Sequence, residues 1–167
     1  MKIVFFTYHV WRSERRAGFH HLAKSFHDFG WEVLFFTTGL SWISSLQRNK
    51  RLNYYSTQER NKLIKESPSF YSYLHFTPFH SIGFKQSLVN LLIQPLVETY
   101  PLSSFNQTHD FIGEADLIIF ESADGLLLID QIADINKKAR KVYRMSDLLT
   151  VLRKHPISTK YEKKYWD

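Results

Sequence analysis

The polar residues of this chain that could do chemistry together stand at the ends of apolar runs. Lys141-Val142-Tyr143-Arg144-Met145-Ser146-Asp147 reads as a short strand that runs out into a loop carrying a carboxylate. A general base needs a carboxylate in a partly desolvated crevice, where its pKa can be tuned toward the working pH. Asp147 meets that description. It equally suits a helix N-cap for Leu148 to Arg153, a role that Ser146 could share, and local pattern leaves both readings open. Glu121 is a rival carboxylate, placed after Leu117-Ile118-Ile119-Phe120 and just before Ser122. Its plain structural role would be to pair with a nearby arginine.

A basic group stands after the first apolar run. Arg12, Arg15 and Arg16 lie close to the expected start of a helix. Fork-shaped guanidiniums and free helix N-terminal amides together bind phosphate or carboxylate, while a solvated basic face paired with Glu14 is the bland alternative. His9 precedes this group and His20 lies one turn beyond Arg16. The spacing of His20, His21 and His27 matches no zinc signature, so a surface or hydrogen-bonded core histidine is the better reading of each. No metal site is expected.

Composition bounds the answer. The chain has 167 residues, enough for one domain with a real core, and it is 44% hydrophobic and 16% aromatic. With no cysteine, disulfides, thiolate catalysis and zinc–thiolate sites are excluded. A formal charge of +6 and a pI near 9.5 point to an anionic partner without choosing among phosphate, nucleic acid and an acidic membrane. No secretory signal is legible. The uncharged run from Gln86 to Val97 is well short of the roughly 20 residues of a spanning helix, so the expected protein is soluble or peripheral to a membrane.

The elements that must position these residues alternate. Ile3-Val4-Phe5-Phe6 and Val33-Leu34-Phe35-Phe36 are continuous apolar runs suited to central parallel strands. Between them a helix is expected from about Ser13, with Phe19, Leu22, Phe26 and Phe29 inward and Gly30 at its end. Leu40 to Arg51 reads as a short helix with a basic end, Gln58 to Glu66 as a polar helix stopped by Pro68, and Phe70 to Phe76 as an aromatic strand. Phe84, Leu88, Leu91, Leu92 and Leu96 form a helical stripe that Pro95 should kink or end. That stripe suits either a core-facing helix or one lying in a membrane interface. Leu117 to Phe120 and Val142-Tyr143 are further strands, separated by a helix from about Asp124 carrying Leu128, Ile129, Ile132 and Ile135 inward. Ser158 is expected to cap a last helix, Thr159 to Trp166, whose pattern looks unfinished at Asp167.

This alternation implies an α/β, Rossmann-like, doubly wound parallel sheet formed by residues 1–167 as a single domain. With strand order 3-2-1-4-5, the loops after the first strand and after Phe120 flank the switch point, where ligands of open α/β sheets bind. His9, Arg12, Glu121, Ser122, Arg144 and Asp147 would then share one crevice. The glycine-rich phosphate loop of a dinucleotide fold is missing after the first strand.

Three patches in this order resemble the xanthan-type glucuronosyltransferases: His9-Val10-Trp11-Arg12-Ser13-Glu14-Arg15-Arg16 with His20, then Phe120-Glu121-Ser122, then Tyr143-Arg144-Met145-Ser146-Asp147-Leu148-Leu149. Thr77-Pro78-Phe79 is a weaker fourth. The resemblance covers nearly the whole chain but the N-terminal half of those enzymes. It implies one half of a GT-B two-domain fold, in which the N-terminal domain binds a lipid-pyrophosphate-linked oligosaccharide and a C-terminal domain, absent here, binds the UDP-sugar donor. It also implies metal-independent inversion at the anomeric carbon, with Asp147 as base and no cofactor. His9, Arg12, Arg15, Arg16, His20, Glu121, Ser122 and Arg144 would be acceptor-binding, and Phe84, Leu88, Leu91 and Leu92 would touch the anionic inner face of the cell membrane from the cytoplasm. Leu148 stands where the family pattern has glycine. Catalysis by these 167 residues alone is not expected. The alternative, from a different class, is a non-catalytic Rossmann-like basic module that binds nucleic acid or an anionic membrane surface.

Overall fold

The computed structural model describes residues 1–82, 87–100, 105–121, 124–145 and 156–166. Ser122, Phe84 and the Ser146–Asp147 pair, with Leu148 and the helix expected after it, lie outside that set. The strands are β1 (Lys2–Thr7), β2 (Glu32–Ser41), β3 (Leu63–Ser67), β4 (Phe70–Thr77), β5 (Leu117–Glu121) and β6 (Arg140–Arg144). They form one sheet in the order β3-β4-β2-β1-β5-β6, with every pair parallel except the antiparallel β3–β4 edge. Leaving out that edge strand, the order is the expected 3-2-1-4-5, and β1 and β5 flank the switch point.

The apolar runs become central strands because both faces of each are covered. One face carries Ile3, Phe5, Val33, Phe35, Phe70 and Ile119 against α1 (Gly18–Asp28), through Phe19 and Ala23. The other carries Val4, Phe6, Leu34, Phe36, Ile118 and Phe120, under α4 (His109–Gly113), the 3₁₀ segment Asp124–Leu128 and α5 (Ile129–Ile135). Phe6 lies 4.6 Å from Phe36 and 5.1 Å from Phe120 between ring centres, so aromatic contacts run across three adjacent strands on this face.

The middle departs from its sequence pattern. Gln58 to Glu66 is not a helix: Thr57–Glu59 makes one 3₁₀ turn and Leu63–Ser67 is the edge strand. Cross-strand pairing overrides the helical propensity of this segment. Asn61 closes the hairpin from outside, its amide donating to the Phe76 carbonyl at 2.7 Å and accepting from the Phe76 N–H at 2.8 Å. Leu40 to Arg51 resolves into α2 (Trp42–Leu46) and part of a 3₁₀ turn, Lys50–Tyr54. The stripe helix is α3 (Ser87–Val97), which runs two residues past Pro95.

Two helix starts move as well. The first helix begins at Gly18 rather than Ser13, because the Ser13 hydroxyl turns back onto the Arg15 carbonyl at 3.0 Å. The last, α6 (Pro156–Trp166), starts on proline, which suits a first helical position. Ser158 therefore sits inside the helix, fully buried, and its hydroxyl meets that of Ser81 at 2.6 Å.

At the top of β2 the register shifts between Thr37 and Leu40, and Gly39 there has φ +70. A Cβ at Gly39 would fall 2.2 Å from Asp124 Oδ2, whereas Gly30, with φ +82, has open space around it. Gly39→Ala should therefore cost about 3 kcal/mol, lowering the thermal midpoint by roughly 6–12 °C. Gly30→Ala should cost about 1 kcal/mol from backbone strain alone. Equal shifts in parallel melting curves would show that Gly39 and Asp124 are not in close contact.

Candidate active site

At the carboxyl ends of β1 and β5 the structure builds a carboxylate site. Glu121 is the last residue of β5 and is 6% exposed. The Thr7 hydroxyl donates to its Oε2, the Tyr8 N–H donates to the same oxygen at 3.2 Å, and His9 Nε2 lies 3.4 Å from Oε1. The Thr7 oxygen also accepts the His9 N–H at 3.1 Å. One buried carboxylate thus fixes three successive residues of the β1 loop, and the His9 ring remains about a third exposed. Burial pushes the Glu121 pKa up, but the bonds from His9, Thr7 and Tyr8 outweigh it and hold the group below its ordinary value. Glu121 is therefore an ionised anchor at neutral pH.

Arg144, the last residue of β6, reaches toward the same end of the sheet. Its guanidinium lies 5.0 Å over the Phe19 ring, and a Cβ on Gly18 would meet it at 3.2 Å. A glycine at the first position of α1 leaves room for that cation. The guanidinium and the positive end of the α1 dipole thus occupy the same few ångströms, a placement that raises the potential for an anion there. Among the described residues no carboxylate pairs with Arg144.

The remaining basic residues divide. Arg12 donates to Glu59 and Glu66, each at 2.8 Å, and stacks on Tyr55 at 4.7 Å. Burial acts to lower its pKa, and the two carboxylates more than reverse that. Arg12 is a strut between the β1 loop and the β3 hairpin, not the free cation its position in the sequence suggested. Arg16 donates to the Trp11 carbonyl at 2.6 Å and lies over the Trp11 ring, while Arg15 is exposed. His20 is 2% exposed, and the chain itself occupies both ring nitrogens. Nδ1 accepts the Ala17 N–H at 3.0 Å, capping α1, so Nε2 carries the proton it donates to the Val10 carbonyl at 2.8 Å. Burial lowers its pKa. The hydrogen-bonded core histidine is the reading that fits, and neither nitrogen is left for a ligand.

Arg51, Asp124 and Tyr100 escaped the sequence reading. Arg51 donates to the carbonyls of Tyr8 (2.7 Å), Thr38 (3.2 Å) and Gly39 (2.6 Å) and lies 3.4 Å over the Tyr8 ring. Asp124 is 1% exposed, and neither carboxylate oxygen has a hydrogen-bond partner among the described residues. The Tyr100 hydroxyl accepts the Gly39 N–H at 3.3 Å. Arg51 and Tyr100 thus tie the ends of β1 and β2, with Asp124 packed against Gly39. The one available signal was Gly39 itself, a glycine interrupting a strand pattern. Among the described residues no group of three or more His, Asp or Glu could hold a metal.

Comparison with known proteins gives the chain a family. Residues 5–167 match the family model of the glucuronosyltransferase GumK N-terminal domain. The chain belongs to this family. It is also 26% identical over 144 residues to the UDP-glucuronate:glycolipid 2-beta-glucuronosyltransferase of Xanthomonas campestris pv. campestris, an overlap covering 86% of this chain and 35% of that enzyme. The chain thus spans about a third of its relative's length. Its sheet is consistent with the Rossmann-like half of a GT-B glycosyltransferase.

The Glu121 anchor makes a pH-dependent prediction. A depressed carboxylate pKa adds stability that is present above the unfolded-state pKa and lost as pH falls through the folded one. Glu121→Gln should cost about 2 kcal/mol at pH 7, and the gap from the unaltered chain should close as pH falls below about 4. Urea midpoints from pH 7 to 3 measure it. A gap constant across that range would mean that folding does not shift the Glu121 pKa.

Proposed function

We propose that this chain is the N-terminal, acceptor-binding part of a sugar-nucleotide-dependent inverting glycosyltransferase. It would add a sugar, glucuronate by analogy with the named relative, to a lipid-linked oligosaccharide in polysaccharide synthesis. The observation that carries the reading is the convergence of the β1, β5 and β6 ends at the switch point, in a chain whose family is that of a glucuronosyltransferase.

In this reading Asp147, three residues beyond Arg144, is the general base. It takes the proton of the acceptor hydroxyl as that oxygen attacks C1 of the donor sugar from the face opposite the leaving group. The C1–O bond to the nucleotide breaks, and the diphosphate departs with the bonding pair. One displacement inverts the anomeric centre. His9, held by Glu121, and Arg144 at the start of α1 would orient the acceptor, and a further domain would bring the UDP-sugar. The proposed chemistry calls on no metal or cofactor. In the longer enzyme, Asp147→Asn should lower kcat by at least 10³-fold with an unchanged melting curve. Near-normal turnover would reduce Asp147 to a helix cap.

The acceptor's lipid would require the protein to work at a membrane face, and α3 has the surface for it. Leu88, Leu91 and Leu92 are 66%, 64% and 71% exposed. No helix among the described residues is long and apolar enough to cross a bilayer, so α3 would lie in the interface with its leucines inserted. The chain should sediment with anionic liposomes, and Leu91→Asp with Leu92→Asp should weaken that partitioning at least tenfold. Tight, salt-sensitive binding of a DNA duplex without liposome binding would favour the nucleic-acid module instead.

A further inference from the structure

A second cavity opens beside the candidate site. It has a volume of about 540 Å³ and runs between one stripe of α1 and the β3–β4 turn. Trp11 and Phe70 form its wall, with ring centres 4.1 Å apart, and Phe35 backs Trp11 at 5.3 Å. Arg16, just before α1, and Lys24 and His27 on α1 line the facing side. His27 Nε2 is tied to the Pro68 carbonyl at 2.7 Å, which fixes the far end of the groove to the turn. Lys24 shares its charge with Asp28 at 2.6 Å, whereas Arg16 is tied to a carbonyl and has no carboxylate partner among the described residues.

The groove and the β1 loop meet at a buried ring, His20. His20 stacks on Trp11 at 5.7 Å and lies 5.7 Å from the His9 ring. An aromatic wall takes the apolar face of a sugar ring, and guanidinium and ammonium groups on the facing helix take a carboxylate or phosphate. Cavities of a few hundred cubic ångströms hold ligands of about disaccharide to trisaccharide size.

The geometry points to a subsite for an anionic saccharide in the α1–β4 groove, where the ring packs against Trp11, itself backed by the buried Phe70, and its acidic group meets Arg16 and Lys24. The choice of a saccharide rests on the acceptor-binding reading above. The acidic group is either a sugar carboxylate or a sugar phosphate. Both present negative oxygens to the same cations.

Binding to the 167-residue chain, followed by intrinsic tryptophan fluorescence and calorimetry, tests this without donor or turnover. The probes are trigalacturonate, maltose 1-phosphate, neutral maltotriose, tripolyphosphate and UMP. The two acidic saccharides should bind at least tenfold tighter than maltotriose and than tripolyphosphate, and the tighter of the two names the source of the anion. Arg16→Gln should weaken that binding at least tenfold with an unchanged melting curve, and Trp11→Phe should remove the fluorescence response while the protein stays folded. Equal affinity for tripolyphosphate would leave a simple cation cluster and overturn the subsite, as would tighter binding of UMP or indifference to Arg16→Gln. Failure here leaves the role of Asp147 standing. Conversely, normal turnover by Asp147→Asn would remove the base assignment without touching affinity in the groove.

Discussion

The upper end of this molecule depends on one buried carboxylate. Glu121 closes β5, and through the Thr7 hydroxyl and the Tyr8 N–H it dictates how the chain leaves β1. A carboxylate in that position would ordinarily cost several kcal/mol of desolvation. Converging donors make it tolerable, and in return it removes the freedom of a loop that would otherwise be an aromatic, polar tail. The residues beyond His9 inherit that constraint. Val10 can offer its carbonyl to His20, His20 can cap α1, and Trp11 can settle between His20 and Phe70. The site and the groove are therefore two outcomes of one anchored loop.

The sheet was legible because burial on both faces leaves an unambiguous mark. Ile3 to Phe6, Val33 to Phe36 and Leu117 to Ile119 needed no context to be read as central strands, and topology rules placed β1 and β5 at the switch point. The edge was illegible for the complementary reason. Leu63 to Ser67 is half-exposed, its composition suits a helix, and what holds it as strand is pairing with β4 and the clasp of Asn61. No local pattern encodes a partner on another strand.

The site was legible in part, and the failures have one cause. Sequence position told which residues lie near a strand end, and His9, Glu121 and Arg144 do lie there. It could not tell where a long side chain is aimed. Arg12 stands beside Arg16 in sequence yet crosses to Glu59 and Glu66, and Arg51, far away in sequence, arrives under Tyr8. Such side chains span enough distance that their partners are set by the tertiary fold. Asp147 and Ser122 rest on the resemblance and on their neighbours.

That aiming problem also changes what the basic composition means. A formal charge of +6 invited a search for an anionic partner, but a net figure does not say which cations are available. Lys2 meets Glu32 and Glu114, Arg12 meets Glu59 and Glu66, and Lys164 meets Asp130. Those pairs tie the sheet, the hairpin and the last helix together and offer little to a ligand. Arg15, Arg16 and Arg144 are different. Arg144 lies against Gly18 at the start of α1, Arg15 and Arg16 immediately precede that helix, and no carboxylate among the described residues pairs with any of them. These cations, left without a carboxylate, therefore stand near one end of one helix, beside the His9–Glu121 anchor and the Trp11 groove. The positional information lies in which cations the fold leaves without a carboxylate, and it concentrates a diffuse excess charge at the place where the strand ends converge.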